Sequence, residues 1–261
     1  MIATETAYAK INLALHVRRR RDDGYHELET VFAFCETGDR IAGELAADAS
    51  IEIDGPFAPF LKNESNLVSE AANLFAQPAR LTLTKRLPVA SGVGGGSADA
   101  AATLRLLSRL TGEPPPALAA QRALGADVPA CVVSRTMRGE GVGDRLTAVD
   151  GPSGAPVLLV NPNKPLSTAA VFAGWDGMDR GALGDWREGR NDLAAAACSI
   201  VPESASLLDW LKRRHDVMLA RMSGSGATCF ALFDTVDARE RAAQEATCDW
   251  PDYWTMQSTL R

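Results

Sequence analysis

LPVASGVGGGSADAAA, residues 87–102, is the stretch on which the reading of this chain turns. Gly92, Gly94, Gly95 and Gly96 leave the backbone bare, so successive N–H groups can turn inward and line an anion nest. The apolar residues that follow predict a helix from Ser97 to about Leu110. Its unsatisfied first amides and the positive end of its dipole would face the same place, and phosphate is the natural guest. A tight turn that merely needs positive φ is the plainer alternative; four clustered glycines leading into a helix favour phosphate. The loop fits neither GxxxxGK[ST] nor GxGxxG, and the chain lacks the HRD and DFG elements of protein kinases.

Upstream of the loop, Ile11, Leu13, Leu15 and Val17 alternate with the period of a half-buried strand, and RRDDGYH at 20–26 reads as the turn of a hairpin. Strands are expected over 27–34, 40–46 and 50–54, a helix over 66–76, and a short strand around Leu81 and Leu83. Downstream, three prolines at 114–116 separate the loop's helix from a second at 117–124, and LGADVPACV at 124–132 places Asp127 before an apolar, strand-like run. DGPSGAP at 150–156 is the strongest punctuation, so a first domain is expected over 1–152 and a second over 153–261. The second reads as a strand at 157–160, short helices over 168–214, strands at 217–221 and 228–233 around the turn MSGSGAT, and a helix at 237–246. The mixture indicates an α+β fold.

At 261 residues, 46% hydrophobic and 23% charged, the chain can bury a full core. A net charge of −6 argues against a nucleic-acid partner, because phosphate neutralisation needs excess Lys and Arg. No apolar run reaches the ~18 residues of a membrane span. The N-terminal stretch, interrupted by Glu5 and Lys10, does not read as a secretory signal. Five scattered cysteines and three distant histidines suggest neither a disulfide framework nor a zinc cage, and the expected address is cytoplasmic.

Phosphoryl transfer needs charge stabilisation and a base near the acceptor, which directs attention to lysines and carboxylates in odd settings. Lys10 interrupts an apolar strand, and Asp127 precedes an apolar run. Taken singly, Lys10 reads as a solvated strand-end charge and Asp127 as a turn or capping residue.

Their combination with other motifs changes the reading. AYAKINLALHV at 7–17 with DGYHELETV at 23–31, KRLPVASGVGGGSADAA at 85–101, LGADVP at 124–129 and RMSGSGATCF at 221–230 resemble the GHMP kinase superfamily, in particular its 4-diphosphocytidyl-2-C-methyl-D-erythritol kinase family. EGVGD at 140–144 and NDL at 191–193 match more weakly. The resemblance spans nearly the whole chain. It implies a two-domain α+β fold: an N-terminal domain with a left-handed βαβ element, a ferredoxin-like C-terminal domain, and a catalytic cleft between them. The activity implied is ATP-dependent phosphorylation of the 2-hydroxyl of the diphosphocytidyl substrate, with Mg2+, in the methylerythritol phosphate route to isoprenoids. Another GHMP small-molecule kinase, such as a homoserine or mevalonate kinase, and a non-catalytic metabolite sensor are the rival readings.

Carried over residue by residue, the resemblance makes Asp127 the base and Lys10 the catalytic lysine, with Asn12 orienting substrate. It assigns Tyr25, His26 and Phe172 to a cytosine pocket, with Thr168 nearby. Two aromatic faces can sandwich a pyrimidine while a polar neighbour reads its edge. Asn66, Lys85 and the run Pro88, Val89, Ala90, Ser91, Gly92, Val93, Gly94, Gly95, Gly96, Ser97 and Ala98 are assigned to ATP; for Asn66 a helix cap, and for Lys85 a solvated charge, are equally good readings of the residues themselves. Metal ligands are not assigned. Ala98 replaces a serine common in the motif, and Ser91 replaces a glycine, a change the nest tolerates if Ser91 needs no positive φ. Segments 46–66 and 174–190 are compact and have no assignment.

Overall fold

The computed structural model describes residues 2–61 and 66–261. The chain divides into two compact units, one made of Met1–Lys10, Thr37–Val89 and Gly94–Ser134, the other of Ile11–Glu36, Ala90–Val93 and Arg135–Arg261. Two long strands, β1 (Ala3–Arg20) and β2 (His26–Leu45), pair with each other, and each passes through both units. The expected turn closes them, Arg21 N donating to Tyr25 O at 2.8 Å with Gly24 at φ +86°. The half-buried strand expected over 11–17 is instead buried at every position from Ala9 to Val17. Lys10, Asn12 and His16 are therefore interior polar groups, which must find partners or destabilise the fold.

In the first unit, Arg40–Leu45 of β2 pairs antiparallel with β4 (Ala79–Thr84), which pairs in parallel with β3 (Ser50–Asp54). Helix α1 (Leu67–Ala72) joins the two parallel strands, a βαβ element as expected, although the helix stops short of residue 76. Of the unassigned segment 46–66, residues 62–65 lie outside the described residues. Helix α2 (Gly95–Thr111) buries Ala98, Ala101, Leu104 and Leu107 and ends on Gly112 at φ +75°, a left-handed cap ahead of the three prolines. Each buried leucine contributes about 1.5–3 kcal/mol relative to exposure. After α3 (Leu118–Leu124), the run expected to be strand-like is helix α4 (Val128–Val133). Pro129 sits in its first turn, where a missing N–H costs nothing, and so short an apolar run carries no period that separates helix from strand.

In the second unit, Leu28–Phe32 of β2 pairs with β5 (Met137–Gly141), which turns through Gly141 and Gly143 into β6 (Arg145–Ala148). The remaining elements are β7 (Pro156–Asn161), α5 (Thr168–Ala173), α6 (Ala194–Ile200), α7 (Glu203–Lys212), β8 (Val217–Met222), β9 (Cys229–Phe233), α8 (Val236–Asp249) and β10 (Trp254–Thr259). The sheet order β10-β7-β9-β8, antiparallel throughout, is the ferredoxin-like arrangement. Its central strands β7 and β9 are buried at every residue, and α7 and α8 pack on the sheet. Among the described residues no helix is long and apolar enough to cross a membrane.

Candidate active site

The glycine turn takes the conformation its composition demands. Gly92 and Gly94 lie at φ +82° and +65°, and Gly94 is the N-cap of α2. Ala90 is also left-handed at φ +51°, whereas Ser91 is not, which explains why a serine is accommodated there. A Cβ added at Gly94 would lie 2.9 Å from Lys10 Cε, so the lysine stem packs directly on the turn. Its ammonium, with Lys10 only 4% exposed, meets Asp127 Oδ2 at 3.0 Å. Asp127 stands at the head of α4 yet its carboxylate caps nothing. Neither residue thus follows its ordinary reading, and Lys10 brings the pair to the glycine turn. Ser97 joins them: a Cβ on Gly125 would lie 3.7 Å from its Oγ.

Arg105 fixes this geometry. From α2 it donates to Thr6 O of β1 at 2.7 Å, to Cys131 O of α4 at 2.6 Å and to Glu5 Oε1 at 3.1 Å. One guanidinium therefore holds together the strand that carries Lys10 and the helix that carries Asp127.

Lys85 is neither solvated nor extended into open space. It is 2% exposed, and its Nζ lies 2.5 Å from Asp39 Oδ2 and 2.7 Å from Asp99 Oδ2. Asp39 Oδ1 accepts in addition from the backbone N–H groups of Arg86 and Leu87, while Asp99 Oδ1 is buried with no hydrogen-bond partner. Burial pushes the Asp99 carboxyl up to about 8 against the opposing pull of Lys85; burial lowers Lys85, but the two carboxylates outweigh it and leave its pKa raised. Asn66 caps α1, its Oδ1 accepting from Val68 N at 3.0 Å. Within the rest of the run, Pro88, Val93 and Ala98 are buried and Val89 is exposed.

In the second unit, Asn12 is buried, its Nδ2 donating to Thr30 Oγ1 at 2.8 Å. Its backbone N–H donates to Ser223 Oγ at 3.2 Å, and that hydroxyl donates to Gly92 O at 2.8 Å. Thr228 N donates to Ser91 O at 3.2 Å, so the MSGSGAT turn is seated against Ser91 and Gly92. A Cβ on Gly92 would lie 2.3 Å from Ser223 O, leaving room there for glycine alone. Asn191 holds the same turn through its Nδ2, which donates to Met222 O and Gly224 O at 2.8 Å.

The aromatic residues gather elsewhere in that unit. His26 packs on Phe172 with ring centroids 4.8 Å apart and meets Trp175 edge-on at 5.7 Å. Tyr25 stands 63% exposed on the preceding turn. Burial, aided by Arg20, lowers the His26 pKa and favours the neutral ring. Thr168 opens α5 and shares a hydrogen bond with Ser225 Oγ at 2.9 Å. Trp175, Ser223, Asp39 and Asp99 escaped the sequence reading. Asp99 carries the one readable signal, a carboxylate one turn inside an alanine-rich helix.

The comparisons with known proteins meet this geometry. The model of the GHMP kinases N terminal domain matches residues 66–135 and that of the GHMP kinases C terminal domain matches residues 177–252; the chain is of the GHMP kinase class. A 4-diphosphocytidyl-2-C-methyl-D-erythritol kinase from Rhizorhabdus wittichii is 51% identical over 100% of this chain and 96% of its own length, and one from Novosphingobium aromaticivorans 49% identical over 100% and 94%. The chain belongs to the 4-diphosphocytidyl-2-C-methyl-D-erythritol kinase family. A crystal structure of a 4-(cytidine 5'-diphospho)-2C-methyl-D-erythritol kinase superposes with a TM-score of 0.83 at 32% identity, covering 100% of this chain and 99% of the other. A mevalonate kinase, at 9% identity and a TM-score of 0.64 over 100% and 99%, shares the fold.

Proposed function

We propose that the chain transfers the γ-phosphoryl group of ATP to the 2-hydroxyl of 4-diphosphocytidyl-2-C-methyl-D-erythritol, a step in isoprenoid precursor synthesis. The observation that carries this reading is the ion pair of Asp127 with buried Lys10, whose stem packs against the glycine turn at Gly94. The acceptor oxygen bonds to the γ-phosphorus as Asp127 takes its proton, and the bond to the β,γ-bridging oxygen breaks with its electrons leaving on ADP. Lys10 pairs with the carboxylate and offers positive charge to the transferring oxygens. The amides at the start of α2 and the backbone of Ala90–Gly96 receive the polyphosphate.

The cytosine pocket is part of the same proposal. His26, Phe172 and Trp175 gather on one side, Thr168 lies on α5 with Phe172, and exposed Tyr25 supplies a second aromatic face. Asn12 orients the acceptor. Among the described residues no three His, Cys, Asp or Glu side chains gather into a metal cage. The magnesium ion proposed here arrives with ATP, keeping phosphate and water ligands and needing only one or two carboxylates. Bound with ATP, the ion would neutralise polyphosphate charge.

The 152/153 boundary is proposed as the meeting of the family's two halves, which is supported by family matches on either side of it. A cytoplasmic, small-molecule role is supported by the acidic net charge and by cysteines that form no disulfide. A coupled ADP-release assay with the cytidyl substrate, homoserine and mevalonate tests the function. Turnover is expected only with the cytidyl substrate; preference for either of the others, or no turnover at all, would refute it.

A further inference from the structure

Two carboxyls and one ammonium lie buried together beneath the phosphate loop. A Cβ on Gly95, the first residue of α2, would lie 2.9 Å from Lys85 Nζ and 3.8 Å from Asp39 Oδ2, so the cluster touches the backbone that opens the helix. With both carboxyls ionised, it would place one uncompensated negative charge there, in a site shielded from water. The two acids are not equivalent. Asp39 accepts from Lys85 and from two backbone amides. Asp99 has Lys85 at 2.7 Å and an Oδ1 without a partner. Both carboxyls present Oδ2 to the same buried Lys85 Nζ, at 2.5 and 2.7 Å, and two like charges crowded on one cation in a dry site favour retention of a proton by one of them.

We propose that the Asp39–Lys85–Asp99 cluster holds one proton between its carboxyls and, in that neutral form, positions the start of α2 for polyphosphate, so that loss of the proton weakens ATP binding. Asp99 and Lys85 act here as positioning residues, through the backbone that opens α2. The inference rests on the ATP site proposed above. Charged and titratable groups face Asp99 from each side: Asp39 from β2, Lys85 from the end of β4, and across α4 the Cys131 thiol, which senses Asp99 together with Asp127, Lys10 and Arg105. Burial pushes that thiol up to about 12, so it stays neutral over the range of interest.

The test is the dissociation constant of ATP, without acceptor, between about pH 7 and 9.5, where the nucleotide phosphates no longer change charge, for wild type, Asp99→Asn and Lys85→Met. Wild type is expected to weaken about tenfold across the range, the scale of one added charge acting through a few ångströms of protein. Asp99→Asn, an isostere of the protonated acid, should bind like wild type at pH 7 and stay within about twofold throughout. Lys85→Met should bind poorly at every pH. A carboxylic-acid carbonyl band in the infrared spectrum of wild type near neutral pH, absent in Asp99→Asn, reads the proton directly and needs no nucleotide. A flat wild-type profile, a variant profile that follows wild type, or no acid band overturns the proposal. The acid band without ATP binding at any pH would instead overturn the kinase reading and leave the shared proton standing.

Discussion

Asp127 and Lys10 show how a residue's role follows from what it is denied. A carboxylate at the head of a helix ordinarily caps it, and a lysine in a strand ordinarily reaches water; here the cap is unmade and the lysine is buried against Gly94. The two meet at 3.0 Å. Asp127→Asn keeps the shape but cannot accept a proton, so kcat should fall by ~10² to 10⁴ with ATP affinity largely kept. Single-turnover kinetics alongside nucleotide titration measures both, and a variant that retained a tenth of wild-type turnover would exclude Asp127 as the base. The pairing itself could not be read from either residue. Motif resemblance brought them together, because nothing local says that residue 10 and residue 127 meet.

At the scale of elements, the glycine turn is shaped partly by another turn distant in sequence. Ser223 is fully buried, accepts from Asn12 N and donates to Gly92 O. Ser223→Ala leaves that amide and carbonyl without their partner, a loss of about 1–3 kcal/mol for each buried group left unsatisfied. The expected result is a raised KM for ATP with a smaller change in kcat, measured by steady-state kinetics on a variant of checked thermal stability; an unchanged KM would detach the MSGSGAT turn from nucleotide binding. The elements also show where sequence patterns suffice. Helix α2 was legible because glycine, periodic apolar residues and a closing Gly112 agree. Helix α4 was misread because a run of six residues fits either period, and β5, β6 and β10 went unseen because short strands rely on partners rather than pattern. The Asp39–Lys85–Asp99 cluster was beyond reach for a related reason. Three charges in separate segments each look solvated until the fold buries them.

For the molecule as a whole, acid sensitivity should enter through His16. Its Nδ1 donates to Gly181 O at 3.1 Å and its Nε2 accepts from Arg190 N at 3.3 Å, a pairing open only to the neutral ring. Burial lowers its pKa; Arg190 adds to the lowering, while Gly181 O, Asp192 and Glu29 oppose it. The unfolded chain therefore binds more protons than the folded one between the folded value and about 6.5, so the stabilisation is complete above that pH and drains away as pH falls through it. Calorimetry from pH 7.5 to 5 should show a steeper loss of Tm for wild type than for His16→Gln; equal slopes would place the acid sensitivity elsewhere. The second unit has a consequence for how the chain is made. Its opening segment, Ile11–Glu36, pairs with β5, and Cys35 bridges to Leu260 while Phe34 O accepts from Arg261 N. Translation makes buried Phe32 well before Met137, its partner in the β2–β5 register. Closure of this unit therefore depends on contacts distant in sequence, which form more slowly than the local contacts of a helix.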